Sequence, residues 1–575
     1  MRAVDEGCDD SRTIGILNMH ARYGYTLLLL KGMFVSILAH IRSVLPCKDD
    51  AQQVARHWKG DIFAGITVGV VALPLALAFA VASGVSAEMG LITAVVAGTV
   101  ATIFGGSNYQ VSGPTGAMVV IIAPVTALYG QGIVPLLALM CGFFVFLAGI
   151  LGLGRAVSLL PWPVIEGFTL GIAGLLFLQQ VPNLLGVAAK KGGNTVVTAF
   201  RAFFDIEGIA WMFTLMLALL TVLIIVGLGK LSPKIPGSLI AVVVATGVAV
   251  VCRVKIPSIG TIPDSLPAPH LPHATMDMVM QLLPVALAAA ALCAIESLLS
   301  ARVAAGMVPG GSYNPDRELV GQGMANMASG CFGGLPATGA IARTAVNIRT
   351  GGRSRLSAVI HALFFIGVIY LASTAVSYIP LATLAGVLIV TAWNMVSRKN
   401  IMQIAYSTRS DLSVLFLTAI LTIVLDIIWA VAVGILVAGI LVLRRLAARS
   451  GIVRENSENP RIAAIRIDGT MFFGVADRME HEIPKLGGVE VVILRLSRVG
   501  VLDASGVKGI GEVVDRILGS GRKVVVLGAA PEVLAMGIRM GLLRQDQVDD
   551  HYRDTREAAW ERAEEILDEL DAAKK

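Results

Sequence analysis

From residue 62 onward the chain is laid out in long stretches that carry almost no charge: 62–87, 89–154 (room for three crossings) and 167–189 are the first. A helix that crosses a bilayer needs about 20 apolar residues, and fewer where it is broken or stops partway. On that measure the pattern predicts spans at 62–82, 87–104, 115–129, 134–154, 162–182, 209–229, 237–252, 280–303, 318–334, 339–347, 356–376, 380–396, 411–427 and 429–446. That makes fourteen, two of them short. Beyond residue 446 the period shortens. Strands are expected at 462–467 and 471–474, then a polar helix, an apolar strand at 489–496, an amphipathic helix at 504–518, a strand at 523–527 and a charged helix at 555–572. Such alternation describes a small α/β module. Residues 26–45 are apolar but interrupted by Lys31, His40 and Arg42, so they are not counted as a span. The acidic residues before them argue against a cleaved signal peptide. The expected division is an N-terminal cytoplasmic segment at 1–57, a membrane domain at 58–446 and a cytoplasmic domain at 455–575.

Charge sharpens this picture. Of 575 residues, 15% are charged, against roughly 25% in soluble domains. Residues 62–446 hold 30 charged side chains with a net charge of +8, whereas 447–575 hold 41 with a net charge of −3. A single soluble globule is excluded for the middle of the chain. The pI near 9.0 does not point to nucleic acid, because the positive excess lies in the apolar region and no basic stripe with interleaved aromatics accompanies it. Placing the N-terminus inside puts thirteen basic residues in inner loops, among them Arg155, Lys230, Arg317, Arg355, Arg398 and Arg445. Five fall in outer loops: Lys190, Lys191, Arg201, Arg253 and Lys255. This follows the positive-inside rule, and an even span count leaves both termini cytoplasmic. The six cysteines have neither pairing nor metal-ligand spacing, and no P-loop or catalytic triad pattern appears, so no metal, cofactor or enzymatic chemistry is expected.

The chemistry is expected where the spans are interrupted. Phe104-Gly105-Gly106 leads through a polar break to Val111-Ser112-Gly113-Pro114-Thr115-Gly116. Phe332-Gly333-Gly334, 228 residues later, leads to Leu335-Pro336-Ala337-Thr338-Gly339-Ala340. Both lie between the second and third spans of a seven-span half. Because seven is odd, the second half starts from the opposite side, and the repeat is expected to be inverted. Matched Gly/Pro-interrupted segments point to a transporter binding site. A half-helix starting inside the membrane offers unpaired N–H groups and the positive end of its dipole, which suits an anion. The candidate contacts are Ser112, Gly113, Pro114 and Thr115, facing Thr338, Gly339 and Ala340. Arg343, one turn further on, lies inside a span and adds positive potential. Glu296 lies within the first span of the second half, where a carboxylate can take up a proton or help bind a cation, with Ser300 on the same helix face. His361 is read as a hydrogen-bonded structural residue, and Glu88, Glu166 and Asp426 as solvated span ends.

Taken together, Gly60-Asp61, Ala72-Leu73-Pro74, Val111-Ser112-Gly113-Pro114-Thr115, Ala294-Ile295-Glu296-Ser297-Leu298-Leu299, Phe332-Gly333-Gly334 and Ala342-Arg343-Thr344 resemble the SulP family of anion transporters over residues 58–575. The C-terminal module resembles the family's STAS domain, with Leu502-Asp503-Ala504-Ser505-Gly506 at its signature loop. The resemblance implies a polytopic α-helical membrane protein of fourteen transmembrane segments. These form seven-plus-seven inverted repeats divided into core and gate domains, usually as a homodimer, with a partner for the STAS domain in the cytoplasm. It implies substrate held between the third and tenth spans, and elevator-like movement. Phe79, Thr115, Glu296, Ser300, Gly339, Ala340 and Arg343 fall at positions that line or border the family's substrate and ion sites. Sodium-coupled bicarbonate members carry Asp where this chain has Glu296, which favours H+ over Na+ as the coupling ion. Ala504 replaces the phosphorylated Ser of STAS-fold anti-sigma-factor antagonists. The expected function is secondary transport of a small anion (sulfate, bicarbonate or a C4-dicarboxylate) across the plasma (bacterial inner) membrane by proton symport. Sodium-coupled bicarbonate symport and uncoupled exchange or conduction are the alternatives.

Overall fold

A computed structural model describes residues 48–574 apart from 156–160, 188–194, 207–209, 233–235, 254–255, 261–264, 425–432, 435, 438, 442–450, 456, 472–486, 503, 529–530 and 541–551. Residues 1–47, most of the expected span 429–446, the expected strand residues 472–474 with the polar helix after them, Asp426 and the signature Asp503 therefore lie outside the described residues. The chain forms two compact units, 1–435 and 436–575.

The first unit is helical. In order it contains α1 (Lys48–Ala82), α2 (Ala87–Phe104), β1 (Ser112–Gly113), α3 (Gly116–Tyr129), α4 (Val134–Ile150), α5 (Trp162–Leu184), α6 (Thr195–Ala202), α7 (Ala210–Leu231) and α8 (Gly237–Val251). The second half continues with α9 (Met276–Met307), α10 (Pro315–Cys331), β2 (Thr338–Gly339), α11 (Ile341–Arg349), α12 (Leu356–Ser377), α13 (Leu381–Met395), α14 (Arg398–Ser407) and α15 (Arg409–Val424). Eight helices among the described residues are long and apolar enough to cross a membrane, and α3 and α8 are shorter apolar ones. Every span expected up to residue 424 is a helix. α1 starts fourteen residues before the expected residue 62, because apolarity reports contact with lipid whereas a helix can run on into polar sequence. The amphipathic α14, at a position read as a loop, is a second addition. Its N-cap Ser397 accepts the N–H of Asn400.

Small residues set how these helices pack. Along the contact between α4 and α10, a Cβ added at Gly142 would lie 2.5 Å from the Met327 nitrogen and one at Gly149 2.7 Å from the Val320 nitrogen. A Cβ at Gly323 would lie 2.4 Å from the Phe146 nitrogen. Glycines from both helices thus bring the two backbones together, the usual means of close packing where lipid supplies no hydrophobic drive. Gly167 of α5 plays the same part against the Leu415 carbonyl of α15, 2.3 Å from where its Cβ would stand.

The second unit is a sheet between helices. Its strands are β3 (Gly451–Glu455), β4 (Ile462–Met471), β5 (Val491–Leu502), β6 (Lys523–Leu527) and β7 (Tyr552–Arg553), in spatial order β3-β4-β5-β6-β7. β3 pairs antiparallel to β4 and the remaining pairs are parallel. Residues of period two divide its core. Ala463, Ile465, Val492, Leu494, Val524 and Val526 pack with Ile517 of α16 (Ala504–Gly519) and Leu534 of α17 (Pro531–Arg539). Ile462, Ala464, Val491, Ile493 and Val525 pack with Ala559, Ala563, Ile566 and Leu567 of α18 (Arg556–Lys574). The two strands expected at 462–467 and 471–474 are one strand as far as Met471, with register shifts after Arg466 and Gly469 that the sequence pattern registered as a gap.

Candidate functional site

The two breaks lie against each other. Ser112 pairs with Gly339 and Gly113 with Thr338 in a two-residue antiparallel ladder, and the Ala340 N–H donates to the Val111 carbonyl at 2.9 Å. α3 and α11 start immediately beyond. Their N-cap residues, Thr115 and Ala340, supply no side-chain cap. The first intrahelical bonds run from the Val119 N–H to the Thr115 carbonyl and from the Thr344 N–H to the Ala340 carbonyl. The N–H groups of residues 116–118 and 341–343 precede them, as at any helix start. Phe79 of α1 is buried and lies over this end of α3, with its ring 3.2 Å from where a Cβ on Gly116 would stand. At Gly339 a Cβ would sit 1.9 Å from Gln110 Nε2 and 3.1 Å from the Ser297 Cα, so any larger residue would displace the Gln110 amide.

Glu296, partly buried on α9, joins both breaks. Its Oε2 accepts the Thr115 hydroxyl at 2.9 Å and the Thr338 hydroxyl at 2.6 Å, and the two hydroxyl oxygens are 2.9 Å apart. The next residue, Ser297, accepts the Gly339 N–H at 3.0 Å. Ser300 is 3.4 Å from the Thr344 hydroxyl, which accepts the Val111 N–H, and the described structure gives it no bond to Glu296. Arg343 is 2% exposed. Its Nη2 donates to the Pro114 carbonyl, while Nη1 has no partner among the described residues and lies against Gly113, 2.6 Å from where a Cβ would be. A guanidinium from the second half therefore reaches across to the break of the first.

Two expectations change. Arg317 and Arg355, counted as loop charges, are 6% and 8% exposed and cover the C-terminal end of α2: Arg355 Nη1 donates to the Thr102 carbonyl at 2.6 Å and Arg317 Nε to that of Phe104 at 3.4 Å. They neutralise the negative end of that helix. His361, expected to be hydrogen-bonded, is fully buried against Phe365 with neither ring nitrogen partnered among the described residues.

A polar stripe on α10 was not singled out from sequence. Glu318, Gln322, Asn326 and Ser329 are buried along one face. Glu318 accepts the N–H groups of Gly106 (2.8 Å) and Ser107 (3.0 Å) and the Gln110 amide (2.9 Å). Asn326 pairs both ways with Ala337, accepting its N–H at 2.7 Å and donating to its carbonyl at 2.9 Å. Ser329 donates to the Leu335 carbonyl at 2.9 Å. The readable signal was the spacing, i, i+4, i+8 and i+11 in an otherwise small and apolar segment, which is one helical face.

Two short helices that start at paired breaks beside a buried arginine, within a polytopic helical unit, suit the transport of an anion. Residues 58–418 match the model of the sulfate permease family and residues 454–558 that of the STAS domain. The chain belongs to the sulfate permease family: it is a multi-pass membrane protein and anion transporter that carries a STAS domain, and its relatives are named as transporters rather than enzymes. One relative, "Putative sulfate transporter YvdB" of Bacillus subtilis, is 37% identical over 510 residues, 85% of this chain and 95% of the relative. The bicarbonate transporter BicA of Synechocystis is 31% identical over 532 residues, 88% and 94% of the two chains. Among solved structures, the transmembrane domain of a cyanobacterial BicA matches with a TM-score of 0.59 at 32% identity, covering 66% of this chain and 97% of that one. SLC26A9 matches in fold with a TM-score of 0.80 at 16% identity, covering 94% and 96%.

Proposed function

We propose that the chain is a proton-coupled symporter of a small anion (sulfate, bicarbonate or a C4-dicarboxylate), with the anion held between the N-termini of α3 and α11 beside Arg343. The observation that carries the coupling is a proton count. Glu296 Oε2 and the hydroxyl oxygens of Thr115 and Thr338 form a triangle with sides of 2.6, 2.9 and 2.9 Å. Three hydrogen-bonded sides need three protons, and the two threonines supply two. With a proton on Oε2 donated to one threonine, that threonine's hydroxyl turns to the other and all three sides are filled; the proton also removes a negative charge from beside the breaks where the anion sits. Proton uptake and anion uptake then favour each other, by the reciprocity that links any two coupled binding events.

Further features support the rest of the reading. The β1–β2 ladder and the bonds from α9 and α10 tie both breaks into one body, which favours an elevator motion carrying the site as a unit. The distribution of basic loops favours both termini in the cytoplasm, the bacterial relatives favour the plasma (bacterial inner) membrane, and the family resemblance favours a homodimer. BicA is named a bicarbonate transporter and YvdB a "Putative sulfate transporter", which motivates both substrates.

The test is uptake of labelled sulfate, bicarbonate and succinate into proteoliposomes, with pH and sodium gradients imposed separately. Acid outside should drive concentrative uptake of one of them, and Glu296→Gln should lose at least about tenfold of that drive while keeping counterflow. Uptake indifferent to the pH gradient and unchanged in Glu296→Gln would overturn the reading. Drive from sodium alone would replace the proton with a cation held by the same oxygens.

A further inference from the structure

The helix α14 takes no part in the site described above. It joins α13 to α15, two of the expected spans, and so belongs to one membrane surface. Two tryptophans mark that level. Trp162 opens α5 and Trp393 stands near the end of α13, and indoles are enriched where crossing helices meet the headgroups. α14 is fastened beside both. Its Asn400 amide donates at 2.6 Å to Glu166 Oε1, which also accepts the Trp162 indole N–H at 3.1 Å. The guanidinium of Arg398 lies over the Trp393 ring, 4.6 Å from its centroid.

The two faces of α14 differ. Ile404 is buried, and with Asn400 it marks the side turned to the protein. Arg398, Met402 and Tyr406 stand at i, i+4 and i+8 and share the other side, with Lys399 next to them. All four are exposed, Tyr406 at 81% and Met402 at 53%, and so is Trp393 at 66%. Charge on this stretch has one sign. From 393 to 409 the charged residues are Arg398, Lys399 and Arg409, with no acid among them. The acids near it are already engaged: Glu166 as above, and Asp411 by the Ser407 hydroxyl at 3.0 Å. A face that combines basic heads with aromatic and apolar bodies, set at the level of the indoles, suits the boundary between headgroup phosphates and acyl chains. Basic residues there attract anionic lipid. A guanidinium stacked on an indole keeps its in-plane N–H groups for a phosphate.

We propose that the outward face of α14 binds an anionic phospholipid, with Arg398 and Lys399 on the phosphate and Met402, Tyr406 and Trp393 against the start of the acyl chains. The assignment is independent of where the transported anion sits, so either can fail without the other.

The test uses full-length protein in detergent, mixed with phosphatidylglycerol or phosphatidylcholine of identical acyl chains, and native mass spectrometry to count retained lipid. The wild type should retain phosphatidylglycerol in preference, and Arg398→Gln and Lys399→Gln should each lower that preference by about fivefold. Both positions are exposed, so an unchanged melting temperature is expected in the variants. Equal retention of the two lipids by the wild type overturns the proposal, and so does a preference that survives in the double variant. Excess glycerol phosphate should leave the lipid in place; displacement by it would mean that the face reads free phosphate, not lipid. Met402→p-benzoylphenylalanine in phosphatidylglycerol nanodiscs should cross-link to lipid on illumination. A cross-link instead to a peptide of residues 447–575, or to a second copy of the chain, would assign the face to protein and overturn the proposal.

Discussion

Arg343 places a guanidinium where water hardly reaches and then commits only part of it. Nη2 donates to the Pro114 carbonyl and Nη1 has no partner among the described residues. A buried charged donor left open is costly unless a ligand completes it. Lysine keeps the charge but lacks the planar fork that allows one nitrogen to hold the break while another is left for a ligand. Arg343→Lys should therefore raise KM for the transported anion by about tenfold or more, measured as concentration-dependent uptake. Arg343 and Glu296 were both legible in the sequence, because a charge inside an apolar run stands out against its neighbours. Glu318 was not. It is the first residue of the expected span 318–334 and follows Asp316 and Arg317, so it looks like a solvated span end until the helix is seen to bury it.

At the scale of the element, the breaks explain why the second span of each half must be followed by an irregular segment yet remain folded. Backbone groups without partners in a membrane cost several kcal/mol each. Here side chains take over the role of secondary structure: Glu318 holds Gly106 and Ser107, Thr93 accepts the Leu335 N–H at 2.8 Å, and Asn347 donates to the Tyr109 carbonyl at 2.8 Å. Asp61, fully buried in α1, does the same for the turn before α12 by accepting the N–H groups of Arg353 (2.7 Å) and Ser354 (3.1 Å). The contact between α4 and α10 is as demanding. Gly323→Leu would push a branched side chain into the Phe146 backbone, and overpacking of this kind costs about 1–3 kcal/mol. The expected outcome is a lowered melting temperature in detergent, with the loss of Asn326 and Gln322 register reducing uptake as well. Helix positions were readable because apolarity tracks lipid. Helix ends such as that of α1, and the helix α14, escaped because neither depends on a fully apolar run.

At the scale of the whole molecule, the charge asymmetry along the chain separates two kinds of folding problem. The membrane unit has few charges and uses several of them inside. The STAS unit has many, and they staple its outer layer. Arg461 reaches Glu490 at 2.8 Å and Asp571 of α18 at 2.8 Å, while Lys574 reaches Glu490 at 2.9 Å. Arg461 first, and then Lys574, push the Glu490 carboxyl down to about 2 from an ordinary value of 4.5. A carboxyl depressed on folding stabilises the folded state above its unfolded value, and that contribution is lost as pH falls toward the folded value. Melting of the STAS unit in the full-length protein should therefore be insensitive to this pair between about pH 5 and 8 and should weaken as the pH drops below 4.5 toward 2. Glu490→Gln should remove that part of the acid dependence. The effect is small in size, because these side chains are partly exposed and salt screens them.

By itself the sequence determined the membrane class, the order of the spans, the paired breaks and the two charges that no apolar run would tolerate without a reason. These are properties of local composition and period, and they survive without knowledge of what faces what. Only the tertiary structure decided which groups meet. The Glu296 triangle spans residues 115, 296 and 338, and Ser112 is bonded to Gln322 from the other half of the chain. Such contacts depend on two antiparallel breaks lying in register, Ser112 opposite Gly339, and a one-residue slip would leave the composition unchanged while placing every donor wrongly.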